Sequence, residues 1–352
     1  MAQASFPPRR RWGGQPGRRK VGGLLGHMAI VGVGLFFFIP FLWMLSTALK
    51  SDTDLGRQPF HWLPRDNQRV EYRGQLLPLY TRADGGTTER FGLLRSASGV
   101  GTFVNLDSPA QPFESPLNAL HEETEISLKF ENFPQALQQI PFFTYARNTA
   151  TIALLVVIGT LISCTLAAYG FARVQWPGRE IVFLLVLSTM MLPAQVTLVP
   201  LYIIFTRTLH WSDTFYPLIV PSFFANAFDI FLLRQFFKTI PPELSDAARV
   251  DGANEWQIFT QVVLPLSTPV LATVAVLTFL YSWNDLQGPL LYLNSTDKLT
   301  LSIGLLQFKN LHQVHWNLMM AASAIFALPV IVLFFFGQKS FIQGVKLTGI
   351  KG

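Results

Sequence analysis

Apolar positions in this chain come in long blocks that carry no formal charge. Such blocks run between Lys20 and Lys50, Arg147 and Arg173, Glu180 and Arg207, Glu255 and Asp285, and Lys309 and Lys339. Each exceeds the roughly 20 apolar residues that cross a bilayer core. A further stretch, about 214–236, is interrupted by Asp229 but otherwise strongly apolar. The pattern predicts six transmembrane helices, near 24–48, 146–172, 181–205, 214–236, 267–293 and 317–338. The first is too long for a signal-peptide core and lacks a small-x-small cleavage site, so it reads as a retained helix. Pro40, Pro193, Pro200, Pro217, Pro221 and Pro329 fall inside these stretches. Each predicts a kink whose freed backbone groups need neighbouring protein or a wet cavity.

Residues 49–140 form a different zone. Short alternating runs (Val70-Glu71-Tyr72, Phe91-Gly92-Leu93-Leu94) are separated by turn signals such as Asp84-Gly85-Gly86, which predicts a small β-rich insertion over about 56–130. The expected division is a basic tail (1–23), the first membrane helix (24–48), the insertion (49–140), a five-helix core (141–340) and a C-terminal tail (341–352). The fold class is thus an all-α polytopic membrane protein carrying a β-rich insertion.

Composition and charge narrow the function. Half of the residues are hydrophobic and only 14% are charged, against about 25% in soluble domains. The formal charge of +6 is unevenly spread: six Lys/Arg and no acid in the first 20 residues, but 9 basic and 12 acidic residues over 50–140. No basic stripe with interleaved aromatics offers a nucleic-acid surface. Six spans put both termini on one side. Basic residues flanking the spans then favour a cytoplasmic N- and C-terminus, 14 inside against five outside with the long insertion discounted, and the insertion outside the cell. Cys164 is the only cysteine, in an apolar run, and reads as a buried inert thiol. His312 and His315 have no companion carboxylate or Cys set, and no metal site is expected.

The sharpest local pattern lies between the fourth and fifth spans, over 239–265. Pro242 can open a helix, Glu243 and Asp246 suit its positive end, and Gly252 is placed to terminate it in a left-handed conformation. Ala247 and Ala248 leave little bulk, so a partner can approach closely. A second helix, about 254–263, is expected to end at Pro265. The string Asp246-Ala247-Ala248, Gly252, Val262, Leu264-Pro265 resembles the signature loop of binding-protein-dependent ABC-importer permeases, with Asp for the usual Glu and Val for the usual Ile. Leu166–Arg173, Met191-Leu192-Pro193, Phe231–Phe237 and Ser282-Trp283-Asn284-Asp285 extend the resemblance over about 140–352. The tail Gly344–Gly352 is similar to that of the carbohydrate branch, with its maltose-type G-subunit-like permeases.

The resemblance implies the type I ABC importer permease fold. It also implies a half-pore in a bacterial inner membrane that pairs with a second homologous permease, docks on two ATP-binding subunits and receives sugar from an extracytoplasmic binding protein. Asp246, Ala247, Ala248, Gly252, Leu264 and Pro265 would form the coupling loop against the ATP-binding subunit, with Asp246 meeting a polar or basic group there. No phosphate-cradling Gly-x-x-x-x-Gly-Lys-Ser/Thr string is present, so ATP and Mg are expected on the partners, with no cofactor and no catalytic residue in this chain. Asp229, Trp283, Asn284 and Asp285 are candidates for a substrate pathway, because polar groups at membrane depth mark function by default. For Asp229 a structural link to Asn226 is the competing role; for Trp283 and its neighbours it is helix packing. The alternative function is a stand-alone secondary transporter or channel, which paired repeats and buried coupling charges would favour.

Overall fold

The computed structural model describes residues 16–349 except 58–59, 85–86, 98, 109–110 and 310–314. Residues 1–15 of the basic tail, Gly85-Gly86, His312 and the last residues, 350–352, lie outside the described residues. The chain divides into two compact units, Met1–Lys129 and Phe130–Gly352.

The first unit opens with α1 (Pro16–Ala48), helical through Pro40. Over 26–40 its side chains are exposed, Phe37 by 75% and Phe36 by 67%, the surface a lipid-facing rod presents. After α2 (Asp52–Leu55), capped by the Ser51 hydroxyl, come eight strands: β1 (Arg65–Asn67), β2 (Arg69–Tyr72), β3 (Gln75–Asp84), β4 (Thr87–Ala97), β5 (Val100–Asn105), β6 (Phe113–Pro116), β7 (His121–Glu122) and β8 (Thr124–Ile126). Strands β2 to β6 form an antiparallel meander, β7 pairs with β3, and β1 pairs with β8. Tyr72 pairs with Gln75 across Arg73 and Gly74, both at positive φ (51° and 78°). That is the two-residue turn whose twist matches the flanking strands. One face closes over Tyr80, Phe91, Phe103 and Leu120. Tyr80 meets Phe103, and Phe91 meets Phe113, edge-on at 5.2 and 5.4 Å, the arrangement ring quadrupoles favour.

The second unit is helical: α3 (Asn132–Gln139), α4 (Phe142–Ala172), α5 (Arg179–Ser188), α6 (Ala194–Ile203), α7 (Tyr216–Ile219), α8 (Ala227–Thr239), α9 (Pro242–Val250), α10 (Glu255–Gln257), α11 (Leu264–Leu266), α12 (Thr268–Trp283), α13 (Gln287–Tyr292), α14 (Leu301–Leu306) and α15 (Trp316–Gly349). Helix α3 packs on α15 and buries Asn132 and Ala136. It therefore belongs with the second unit, which begins at Phe130. The centre of the unit is the second half of α4 with α8, the segment 258–263 and the start of α12, joined through Cys164, Ala168, Phe171, Leu233, Phe237, Ile258, Val263 and Val274.

Among the described residues, four helical stretches are long and apolar enough to cross a membrane: Gly26–Ala48, Phe142–Ala172, Tyr216–Thr239 and Trp316–Gln338. The block expected as a single helix at 181–205 is instead broken, and the one expected at 267–293 begins at a sharp bend. The helical pair Arg179–Met191 and Ala194–Thr208 bends by 93°, and the pair Glu255–Leu266 and Thr268–Trp283 by 77°. At the first break Pro193 is extended (ψ 135°) and has no N–H to offer the preceding turn. The fifth block also stops early. Helix α12 ends at Trp283, and residues beyond Asp285 start the separate helix α13.

Candidate functional site

The segment between α8 and α12 folds as a compact elbow. Pro242 occupies the first turn of α9, where its missing N–H costs nothing. At the other end Gly252 takes φ +87°. Its N–H donates to Arg249 O at 3.0 Å and that of Ala253 to Ala248 O at 2.9 Å. This pair of bonds is the Schellman ending, which needs a left-handed residue and so favours Gly. A reciprocal cap follows. The Gln257 N–H donates to Asn254 Oδ1 at 2.9 Å, and the Asn254 N–H to Gln257 Oε1 at 2.8 Å, so the chain restarts its helix in a fixed direction.

The second arm ends at Leu266, one residue beyond Pro265. The turns widen to π geometry over Ile258–Val263, with Leu264 N–H donating to Phe259 O five residues back. A wide turn makes room for the Pro265 ring, which a regular helix would press against the carbonyl four residues earlier. The bend comes at Ser267, fully buried, whose hydroxyl donates to Val263 O at 2.7 Å.

The elbow residues singled out from sequence do not share one face. Asp246, Ala247, Gly252 and Pro265 are exposed, whereas Ala248 and Leu264 are half-buried against the chain's own core. The two alanines therefore serve different neighbours: Ala248 lets α9 settle on this unit, and Ala247 leaves the outer surface shallow. Leu244 (45% exposed), Val250 (87%) and Trp256 (62%) add large apolar side chains to that outer surface. They carried no sequence signal, because an apolar residue in a short helix ordinarily reads as its buried side.

Charge pairing inside the elbow is also new. Asp246 is already engaged: Arg249 Nη1 donates to its Oδ1 at 2.8 Å. The same guanidinium donates through Nε and Nη2 to Glu255 Oε1 at 3.1 and 2.9 Å. The other Glu255 oxygen accepts from the Tyr169 hydroxyl of α4 at 2.6 Å. The Tyr169 hydrogen bond, followed by Arg249, holds the Glu255 carboxyl below its ordinary range despite partial desolvation. Nearby, the buried Arg234 of α8 donates from Nη2 to both Glu180 oxygens at 2.8 and 2.7 Å and from Nε to Phe171 O at 3.1 Å. Its guanidinium lies 3.9 Å from the Phe183 ring centroid. These residues are far apart in sequence, so only packing brings them together.

The substrate-pathway candidates each have local partners. Asn226 caps α8: the Asp229 N–H donates to Asn226 Oδ1 at 2.9 Å and the Asn226 amide donates to Asp229 Oδ2 at 2.6 Å, which places Asp229 in the positive first turn of that helix. The Asn226 N–H also donates to the buried Cys164 Sγ at 3.4 Å. Trp283 is 4% exposed, stacked at 5.2 Å on Phe279 and 5.7 Å on Phe326, with its indole N–H donating to Phe326 O at 3.2 Å. Packing occupies it. Asn284 is exposed and donates to Leu280 O at 2.8 Å; Asp285 Oδ1 accepts from the Gly288 N–H at 3.1 Å.

Residues 156–347 match the family described as binding-protein-dependent transport system inner membrane component. The chain is 35% identical over 211 residues to the arabinooligosaccharides transport system permease protein AraQ of Halalkalibacterium halodurans, covering 60% of this chain and 75% of that protein. It is 32% identical over 217 residues to the maltose/maltodextrin transport system permease protein MalG of Salmonella typhimurium, covering 60% and 73%. In structure it is similar to a chain of a bacterial ABC transporter involved in import of the acidic polysaccharide alginate, with a TM-score of 0.64, 20% identity, and coverage of 96% of this chain and 99% of that one. That likeness concerns the fold.

Proposed function

Because the chain belongs to the family of binding-protein-dependent transport system inner membrane components, we propose that it is a permease subunit of an ATP-driven importer of a carbohydrate. It forms half of a translocation pore with a second, homologous permease. In this reading the bent pair Arg179–Met191 and Ala194–Thr208 is one crossing and Thr268–Trp283 another, giving six spans of the type I permease fold, with both termini cytoplasmic and the strand-bearing segment 65–126 outside the cell. The elbow at 241–266 is the coupling element. Its outer surface, with Ala247 and Gly252 flanked by Leu244, Val250 and Trp256, seats in one of two ATP-binding subunits, which hold ATP and Mg. An extracytoplasmic binding protein delivers the substrate. The sugar assignment is supported by relatives whose names denote arabinooligosaccharide and maltodextrin transport.

The observation that carries this reading is the elbow itself. A nine-residue helix opened by Pro242 and closed at Gly252 is anchored on one side to the core formed by α4 and α8 and presents a shallow apolar surface on the other. A lever needs both a rigid body and two distinct sets of contacts, one of which changes between states. Gly252→Pro would forbid φ +87° and remove the N–H that donates to Arg249 O; Ala247→Glu would fill the exposed surface. Both variants should insert normally, yet ATP turnover by the assembled complex should no longer drive uptake. Normal uptake by both, or solute movement by the purified chain without nucleotide, contradicts the proposal.

A further inference from the structure

One face of α4 holds both arms of the elbow. Tyr169 and Arg173 stand one helical turn apart, on the same side. Arg173 Nη2 donates to Phe237 O at 2.6 Å and to Ile240 O, where the chain enters the elbow. Tyr169 donates to Glu255 Oε2 at 2.6 Å, where it leaves, and its ring lies 5.0 Å from that of Phe259. All of α9 sits between these two grips. Glu255 is the shared member: one oxygen is bound by α4, the other by Arg249 of α9. Tyr169 is 7% exposed and Phe259 4%, so neither can swing aside without disturbing the core.

We infer that Glu255, acting through Tyr169, is a positioning joint that transmits displacement of α9 to α4 and so to the pore. The inference rests on the proposed function, in which α9 is driven by the ATP-binding subunits. With α9 tied to Glu255 through Arg249, and Glu255 tied to α4, a push on the helix reaches the membrane-spanning rod directly. Without that tie, the loop at 251–254 can absorb the movement.

The test uses the assembled importer in proteoliposomes with Tyr169→Phe, which keeps the ring on Phe259 and removes only the hydroxyl, and Glu255→Gln. The measured quantities are assembled complex, ATP hydrolysis and substrate taken up per ATP. Both variants should assemble and hydrolyse ATP at the parent level, while uptake per ATP falls at least about fivefold, the lower range of coupling between linked sites. The double variant should be no worse than the poorer single one, because both remove one interaction. Unchanged uptake per ATP in Tyr169→Phe, losses that multiply in the double variant, or losses that track the amount of assembled complex would overturn the inference while leaving ATP-driven uptake by the parent intact. A parent complex that shows no ATP-driven uptake overturns the proposed function and this joint with it.

Discussion

Replacing Gly252 separates two reasons for a glycine at the end of α9. An added Cβ meets nothing within 4 Å in this chain, so any intrinsic cost of Gly252→Ala is conformational. At φ +87° a side chain costs about 1–2 kcal/mol, which is a factor of about 5–30 in a local equilibrium. Asparagine tolerates the left-handed region far better. Hydrogen exchange on the intact chain reads this directly, because the Ala253 and Gly252 amides are held by Ala248 and Arg249 carbonyls and exchange only when that ending opens. A peptide covering 248–256 should exchange about 5–30 times faster in Gly252→Ala and within about threefold of the parent in Gly252→Asn. Wild-type exchange in the alanine variant, or faster exchange in the asparagine variant than in the alanine one, would refute the conformational argument. Uptake then discriminates further. If the glycine matters only for shaping the elbow, alanine is the worse substitution; if it matters for close approach of a partner, the larger asparagine is.

Arg234→Ala removes a buried carbonyl hydrogen bond, an ion pair and a cation–π contact (3.9 Å). It should destabilise the helical unit by about 2–4 kcal/mol, lowering its apparent melting temperature in detergent by several degrees; Glu180→Gln, whose side chain is 57% exposed, should lower it much less. Tyr80 is pushed up from 10.0 to about 12 by burial, then by Glu122. The protonated form is thus favoured in the folded sheet, and the stability this group contributes is complete below pH 10 and lost as pH rises through about 12. Comparing the ultraviolet titrations of the parent and Tyr80→Phe should show the loss of one tyrosine that ionises near pH 12, and identical titrations would refute the assignment.

How much of this was readable in the chain depends on the range of the interactions involved. The left-handed end at Gly252 follows from the local string Pro242–Gly252, because a helix ending draws only on residues within two turns. Strand alternation around Val70-Glu71-Tyr72 is local in the same way, and the Arg73-Gly74 turn beside it is two residues long. Which of the six expected proline kinks becomes a sharp bend was not legible. A charge-free block shows that residues avoid water, but not whether the backbone stays straight; Pro40 and Pro329 sit inside unbroken helices, whereas Pro193 marks a 93° bend.

By itself the amino-acid order determined which blocks shun water, the sign of the charge beside each block, and the capped helix with its signature spacing. Those properties come from transfer free energies and short-range hydrogen bonds, which are written residue by residue. Only the tertiary structure decided that Ala248 faces inward and Ala247 outward, that Asp246 is paired within its own helix while Tyr169 reaches Glu255, and that Trp283 is taken up by packing. Each of these depends on which surfaces meet once the helices have assembled, and residues 86 positions apart acquire a common hydrogen bond only then.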